Sequence, residues 1–228
     1  MFKASSNTGF FVAVLVLSCW TVSIVMLMQW QVSFTNPLTY IFMLVQMHLY
    51  TGLFITAHDA MHGTVSSNRY LNNGVGIICT FLYASFWYPH LYKKHHMHHS
   101  HVHTDVDPDY HQGGFLAWYF RFMRNYLSVW QIIIMAIAYN ILKIWIPETN
   151  LLLFWVAPSL LSTLQLFYFG TYLPHKGEHD NKHFARSQPR NHLVAFFSCY
   201  FFGYHYEHHD SPGTPWWKLW QTPVNPKN

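Results

Sequence analysis

Charge is scarce in this sequence. Only 10% of its 228 residues are Asp, Glu, Lys or Arg, against about 25% in soluble domains. That deficit excludes an ordinary water-soluble globule and points to the membrane. Cysteine is scarcer still: Cys19, Cys79 and Cys199 form no spacing motif. No disulfide framework is possible, and Cys19 and Cys79 read as small buried residues in apolar runs. What the chain has instead is 51% hydrophobic residues, 19% aromatic residues and 18 histidines. The length suits one domain, residues 1–228.

The apolar runs set the architecture. Gly9 to Met28 carries no charge, and a helix of that length crosses a bilayer core of about 30 Å. It ends at Gln29-Trp30-Gln31, an interfacial signature rather than a cleavage site. Asn36-Pro37 starts a second span, Leu38 to Ala57, which runs into His58 and His62. Leu127 to Ile146 and Leu151 to Leu173 read as a third and fourth span, joined by the short turn Pro147-Glu148-Thr149-Asn150. Leu71 to Tyr88 is shorter. Histidine clusters flank it, so if both bind together its ends share one side, and it reads as re-entrant or interfacial. Phe115 to Met123 is amphipathic and aromatic and reads as interfacial. The expected fold is therefore all-α and integral to the membrane, with four transmembrane helices, interfacial or re-entrant helices, and a histidine-rich cap. Four crossings put both termini and every histidine cluster on one side. Of the 13 Lys and Arg, only Lys143 falls near the opposite face, which makes the histidine side cytoplasmic.

The histidines are patterned. His95, His98 and His99 stand at i, i+3 and i+4, so a helix gathers them on one face. His205, His208 and His209 repeat that spacing, and His58 and His62 stand at i and i+4. One such pair is common by accident; three clusters in one chain are not. Without a metal, these imidazoles crowd groups that cannot all stay charged or all find partners, whereas a metal coordinates their neutral nitrogens. Imidazole suits zinc, copper, iron or nickel. Eight histidines exceed one ion. A zincin needs His-Glu-x-x-His, and position 59 is Asp. A carboxylate-bridged di-iron site needs Glu-x-x-His, which is absent. Two irons held by histidine, with positions open for dioxygen, fit best.

These clusters resemble the three histidine boxes of the integral-membrane desaturase, hydroxylase and oxygenase superfamily. Longer stretches resemble the β-carotene ketolases: Gly52 to Gly63, Asp107-Pro108-Asp109, Gln165 to Thr171, Leu173-Pro174-His175, Gly203 to His209, and Pro215-Trp216-Trp217. The likeness runs from about Gly9 to Trp220. It implies a non-haem di-iron enzyme that takes dioxygen, draws electrons from a reduced carrier such as ferredoxin, and oxidises C4 of a β-ionone ring twice to a ketone. The eight box histidines are then iron ligands. The superfamily draws a further ligand from the end of a late span, where His175 stands; His183 is the runner-up and His179 comes after it. Asp59, Asp107, Asp109 and Glu207 are expected to orient the imidazoles, although a proline-centred turn also accounts for Asp107 and Asp109. No role falls to His101 or His103.

A carotenoid is long, rigid and apolar, so Phe81, Tyr83, Phe86, Trp87, Phe167 and Phe169 are candidates to line its slot. The expected partners are carotenoids, an electron-donor protein and the bilayer, with no nucleic acid. A carotenoid 3-hydroxylase or fatty-acid desaturase shares the boxes but not the ketolase stretches. A metal transporter needs ligands at the bilayer midplane, whereas these lie at helix ends.

Overall fold

The computed structural model describes residues 7–223. Its regular elements there are helical, and they divide into long apolar helices and short ones gathered at one end. Helix α1 (Thr8–Met28) precedes α2 (Pro37–Met61). Asn36 caps α2 by accepting the Leu38 N–H at 3.0 Å, with Pro37 in the first turn where no amide is missed. Asn68 caps α3 (Arg69–Ala84), which ends at Ser85 in the left-handed region. At 16 residues α3 is about 24 Å long, short of a bilayer core. Helix α4 (Tyr88–Ser100) carries the second histidine cluster.

Helices α5 (Phe115–Tyr126) and α6 (Val129–Leu142) meet at an angle of 83°. Ser128 starts α6 by accepting the Gln131 N–H. Helix α7 (Glu148–His175) is one long helix with two π-helical turns, Leu152–Val156 and Tyr168–Tyr172. Helices α8 (His192–Cys199) and α9 (His205–Asp210) follow, then a 3-10 turn, Trp216–Gln221. Tyr200 and Phe201 both take positive φ and turn the chain back between α8 and α9.

Among the described residues three helices, α1, α2 and α7, are long and apolar enough to cross a membrane, and the bent α5–α6 pair makes a fourth if it counts as one span. The expected third span, Leu127 to Ile146, needs correction. Its helix covers only Val129–Leu142, about 21 Å. The segments before and after it nevertheless contact opposite ends of the bundle. Helix α5 lies against the histidine end, where Trp118 and Asn125 donate to the Asp109 and Pro108 carbonyls. Beyond α6, Asn150 donates to the Leu27 and Trp30 carbonyls, at the end of α1 remote from the histidines. The outermost termini, on which the expected placement of both chain ends bears, lie outside the described residues.

Helix α2 is the axis of the bundle, with α1, α3 and α7 packed around it. Polar side chains tie the helices together where hydrocarbon offers no other partner. Thr51 meets Ser162 at 2.8 Å, Ser23 donates to Gln46 at 2.6 Å, and the Tyr83 hydroxyl reaches Ser162 and Thr163. Gly170, in the second π turn, lets the Phe202 ring seat against α7; a Cβ there would stand 2.6 Å from that ring.

Candidate metal centre

The C-termini of α2 and α7, helix α4 and helix α9 converge at one end. There nine histidines form two groups, each with its ligating atoms within 4.8 Å of one another. The first is His58, His62, His95, His99 and His208; the second is His98, His175, His205 and His209. All eight box histidines and His175 are present. His183 is in neither group and bonds Asp210 instead, and His179 is also outside both.

The periodicity of α4 explains the division. His95 and His99, one turn apart, face α2; His98, rotated from them, faces α7. His95 Nε2 stands 2.6 Å from His62 Nε2, His99 Nε2 stands 3.0 Å from His208 Nε2, and His98 Nε2 stands 3.2 Å from His209 Nε2. In the second group the contacts continue from His209 to His205 at 3.0 Å and from His205 to His175 at 2.9 Å, all through Nε2.

Proton counting shows that these contacts cannot all be hydrogen bonds. His175 Nδ1 lies 2.8 Å from the Phe184 carbonyl, which only accepts, so Nδ1 holds the proton and a neutral ring has a lone pair at Nε2. His98 Nδ1 lies 2.9 Å from Asp107 and is fixed the same way. His209 and His205 can then each donate outward to those lone pairs, which leaves two N–H groups facing each other. Reversing either sets two lone pairs together instead. A cation among the lone pairs removes the conflict. The first group adds His58 Nε2, buried without a hydrogen-bond partner among the described residues. The donor set thus fits two metal ions.

Electrostatics favours the neutral rings that a metal needs. Burial, followed by the nearby His96, lowers His62 to about 3. Burial first, and neighbouring imidazoles next, push His95, His99, His208 and His209 well below the ordinary histidine range. His98 differs: burial opposes its charged form, but Asp109 and the hydrogen-bonded Asp107 outweigh it and raise the ring.

The four acidic candidates separate. Asp107 orients His98 and also accepts the His103 and Asp109 backbone N–H groups. Asp109 accepts the Tyr126 hydroxyl, and its Oδ2 lies 4.0 Å from His98 Nδ1. Asp59 and Glu207 do not hydrogen-bond an imidazole among the described residues. Asp59 accepts the Trp216 backbone N–H at 3.1 Å, with His58 Nδ1 4.0 Å away. Glu207 pairs with Arg190 at 3.1 Å and accepts the Ser187 hydroxyl. Arg190 in turn donates to the Trp220 and Thr222 carbonyls. Both carboxylates therefore clamp the tail over the histidine end. Sequence reasoning placed Trp216 in a ketolase-like stretch without its contact to Asp59, and it missed Ser187 and Arg190, because these contacts act across the fold. It also gave no role to His103, whose Nε2 reaches the His175 carbonyl at 2.7 Å and whose ring stacks on Tyr110.

An apolar cavity of about 120 Å³ reaches both groups. Its wall includes His58 and His95 of the first and His98 and His205 of the second. Two of the aromatic candidates, Tyr83 and Phe86, line it. The other aromatic candidates do not. Phe81 is 57% and Trp87 73% exposed on the outer surface, because the helical rotation of α3 and the start of α4 turn them outward. Phe167 is fully buried against Phe115, Tyr119 and Phe122, and Phe169 packs into the core beside Tyr168. Phe54, Phe122, Leu160 and Phe202 take their places.

The chain matches the fatty acid desaturase family over residues 35–146 and 124–222. It belongs to that family. Its relatives include a β-carotene 4-ketolase of Haematococcus lacustris, 45% identical over 184 residues, 75% of this chain and 58% of that one. A zeaxanthin 4-ketolase of Chlamydomonas reinhardtii is 42% identical over 181 residues, 75% of this chain and 41% of that one. A β-carotene ketolase of a Paracoccus species is 40% identical over 177 residues, 75% of this chain and 73% of that one. The match to the algal proteins thus spans about half their length. No solved structure matches the chain.

Proposed function

We propose that this chain is a β-carotene 4-ketolase that holds two irons among the nine histidines. The observation that carries the reading is the cavity: one apolar space whose wall contains imidazoles of both groups. A β-ionone ring seated there faces the metal site without crossing water. Kinship to proteins named β-carotene and zeaxanthin ketolases supports the choice of substrate.

Bound iron would supply dioxygen activation, with electrons from a reduced carrier such as ferredoxin. Each round consumes one dioxygen, two electrons and two protons, replaces one C4–H bond with C4–OH, and releases one water. A second round on the same carbon gives a gem-diol, which loses water and leaves the ketone. The residues of the chain do the positioning. Asp107 and the Phe184 carbonyl hold His98 and His175 with Nε2 inward. Phe54, Leu160, Leu166 and Phe202 supply apolar wall around the substrate and exclude water. Leu127, 39% exposed at the bend between α5 and α6, and Leu160, 56% exposed on α7, line the cavity and also face outward, which supports entry from the bilayer where a carotenoid resides.

The histidine end is assigned to the cytoplasm. Arg69, Lys93, Lys176 and Lys182 are exposed on elements of that end, whereas Lys143 lies after α6, toward the other. The test is pigment analysis in a host that makes β-carotene. Echinenone and canthaxanthin are the expected products, and purified protein should contain iron above zinc. Zeaxanthin, or unchanged carotene with altered lipid unsaturation, would overturn the reading.

A further inference from the structure

We propose that Asp109 and Tyr126 form a hydroxyl-binding subsite in the cavity wall. It holds the ring alcohol left by the first oxidation, so that the second falls on the same carbon. The proposal rests on the ketolase reading above.

Among the described lining residues Asp109 is the one carboxylate, in a wall that is otherwise mainly apolar. Four other polar side chains there, Gln131, Ser159, Thr163 and Tyr83, are committed to hydrogen bonds of their own. Gln131 donates to the Ala84 carbonyl at 2.7 Å, and Ser159 donates to the Val156 carbonyl at 2.9 Å. Thr163 bonds the Ser159 carbonyl, and the Tyr83 hydroxyl meets Ser162 and Thr163. Asp109 is held rigidly. Its N–H donates to Asp107 at 2.9 Å, its carbonyl accepts the Trp118 indole N–H at 2.5 Å, and the carbonyl before it accepts from Asn125 at 2.6 Å. Tyr126, which also lines the cavity, donates its hydroxyl to Oδ1 and fixes the plane of the carboxylate. Oδ2 lies 4.0 Å from His98 Nδ1, too far for a hydrogen bond, and so keeps its capacity to accept.

β-Carotene has no polar atom. Seated in the cavity, it excludes water from Oδ2 and gives nothing in return, which is unfavourable for a buried acceptor. An alcohol on the reacting ring donates to Oδ2 and removes that penalty. The half-oxidised ring is then retained in preference to the hydrocarbon, beside His98 of the second group. Asp109 binds; Tyr126 is a positioning residue that acts through it.

The test measures binding to the iron-loaded protein in detergent, under anaerobic conditions and without reductant, so that nothing turns over. The ligands are 4-hydroxy-β-carotene and β-carotene; the proteins are wild type, Asp109→Asn and Tyr126→Phe. Wild type should favour the alcohol by roughly tenfold or more, the range of a hydrogen bond to a charged acceptor. Both variants should approach equal affinity, keep wild-type iron, and release 4-hydroxy product during turnover where wild type releases ketone. No preference in the wild type, or one unchanged in both variants, would overturn the subsite. Loss of iron together with the preference would also overturn it, by assigning Asp109 to the support of His98. A wild type that prefers the alcohol yet forms no ketone would leave the subsite standing and overturn the ketolase reading.

Discussion

The two histidine groups use the same side chain and differ in what stands behind it. In the second group every ring is buried, and two are locked at Nδ1, His98 by Asp107 and His175 by the Phe184 carbonyl. In the first group His62, His95 and His99 are only partly buried, and no hydrogen bond holds Nδ1 of His62, His95, His99 or His208 among the described residues. The second group is preorganised by hydrogen bonds; the first is assembled by the packing of α2, α4 and α9. Metal affinity depends on how well the imidazoles are oriented before the ion arrives, so the groups should behave differently despite equal chemistry.

Removing a ligand is the most severe way to break that contrast. His175→Ala takes one of four ligands from the anchored group, and it should lose roughly half the iron and nearly all ketone formation. His62→Ala leaves four imidazoles in its group and should keep more iron; elemental analysis and pigment assays decide. If His175→Ala keeps both irons and normal turnover, the second group does not hold a metal. Challenge by a chelator sharpens the same point without mutation: iron should leave in two phases, and Asp107→Ala should accelerate the slow one. At equilibrium that variant should lose about 10–100-fold in affinity, the usual effect of removing an imidazole's supporting partner. Asp59→Asn should cost less, because Asp59 holds the Trp216 amide rather than an imidazole.

A smaller effect follows from pH. Burial holds His62 down to about 3 against an ordinary 6.5. As pH falls through that window the unfolded chain takes a proton that the folded, metal-free protein refuses, so stability declines. His98 works in the opposite sense. Its raised value gives stability that is complete below the ordinary range and lost as pH rises through the raised one. The lowered rings are the more numerous, so denaturant unfolding of metal-free protein should show less stability near pH 5 than near pH 7. Equal stability at both would mean that the imidazoles are not desolvated as the structure has them. The smallest effect belongs to His101→Ala, since that side chain is exposed and lies in neither group; iron and turnover should stay at wild-type values.

The spacing of the boxes made eight of the grouped histidines legible, because i, i+3 and i+4 on a helix allow only one face. His175 was legible from its place at the end of an apolar run, as the resemblance implied. Sequence alone did not divide the nine into five and four, since that depends on which neighbour each face of α4 meets. The apolar run after Leu127 hid the bend, because composition on its two sides is alike and the Ser128 cap is a single residue. The partners of Asp59 and Glu207 were hidden for another reason. Trp216 lies 157 residues from Asp59, and Arg190 reaches Glu207 only because the tail folds back over the histidine end.

The wide turn at Tyr168–Tyr172 has a consequence for how such a site can arise and be lost. A π-helical turn accommodates one more residue than an α-helical turn of the same helix. Deleting one residue from it therefore leaves a regular α-helical turn, and the later side chains, His175 among them, keep nearly their present directions, because the wide turn is what absorbs the extra residue. The change is confined to the turn itself, where Gly170 would no longer mark the place where Phe202 docks. The same deletion in the regular stretch Ala157–Phe167 instead turns everything after it by about 100° and takes His175 away from His205, so the wide turns are the places where this helix can gain or lose a residue without dismantling the second group.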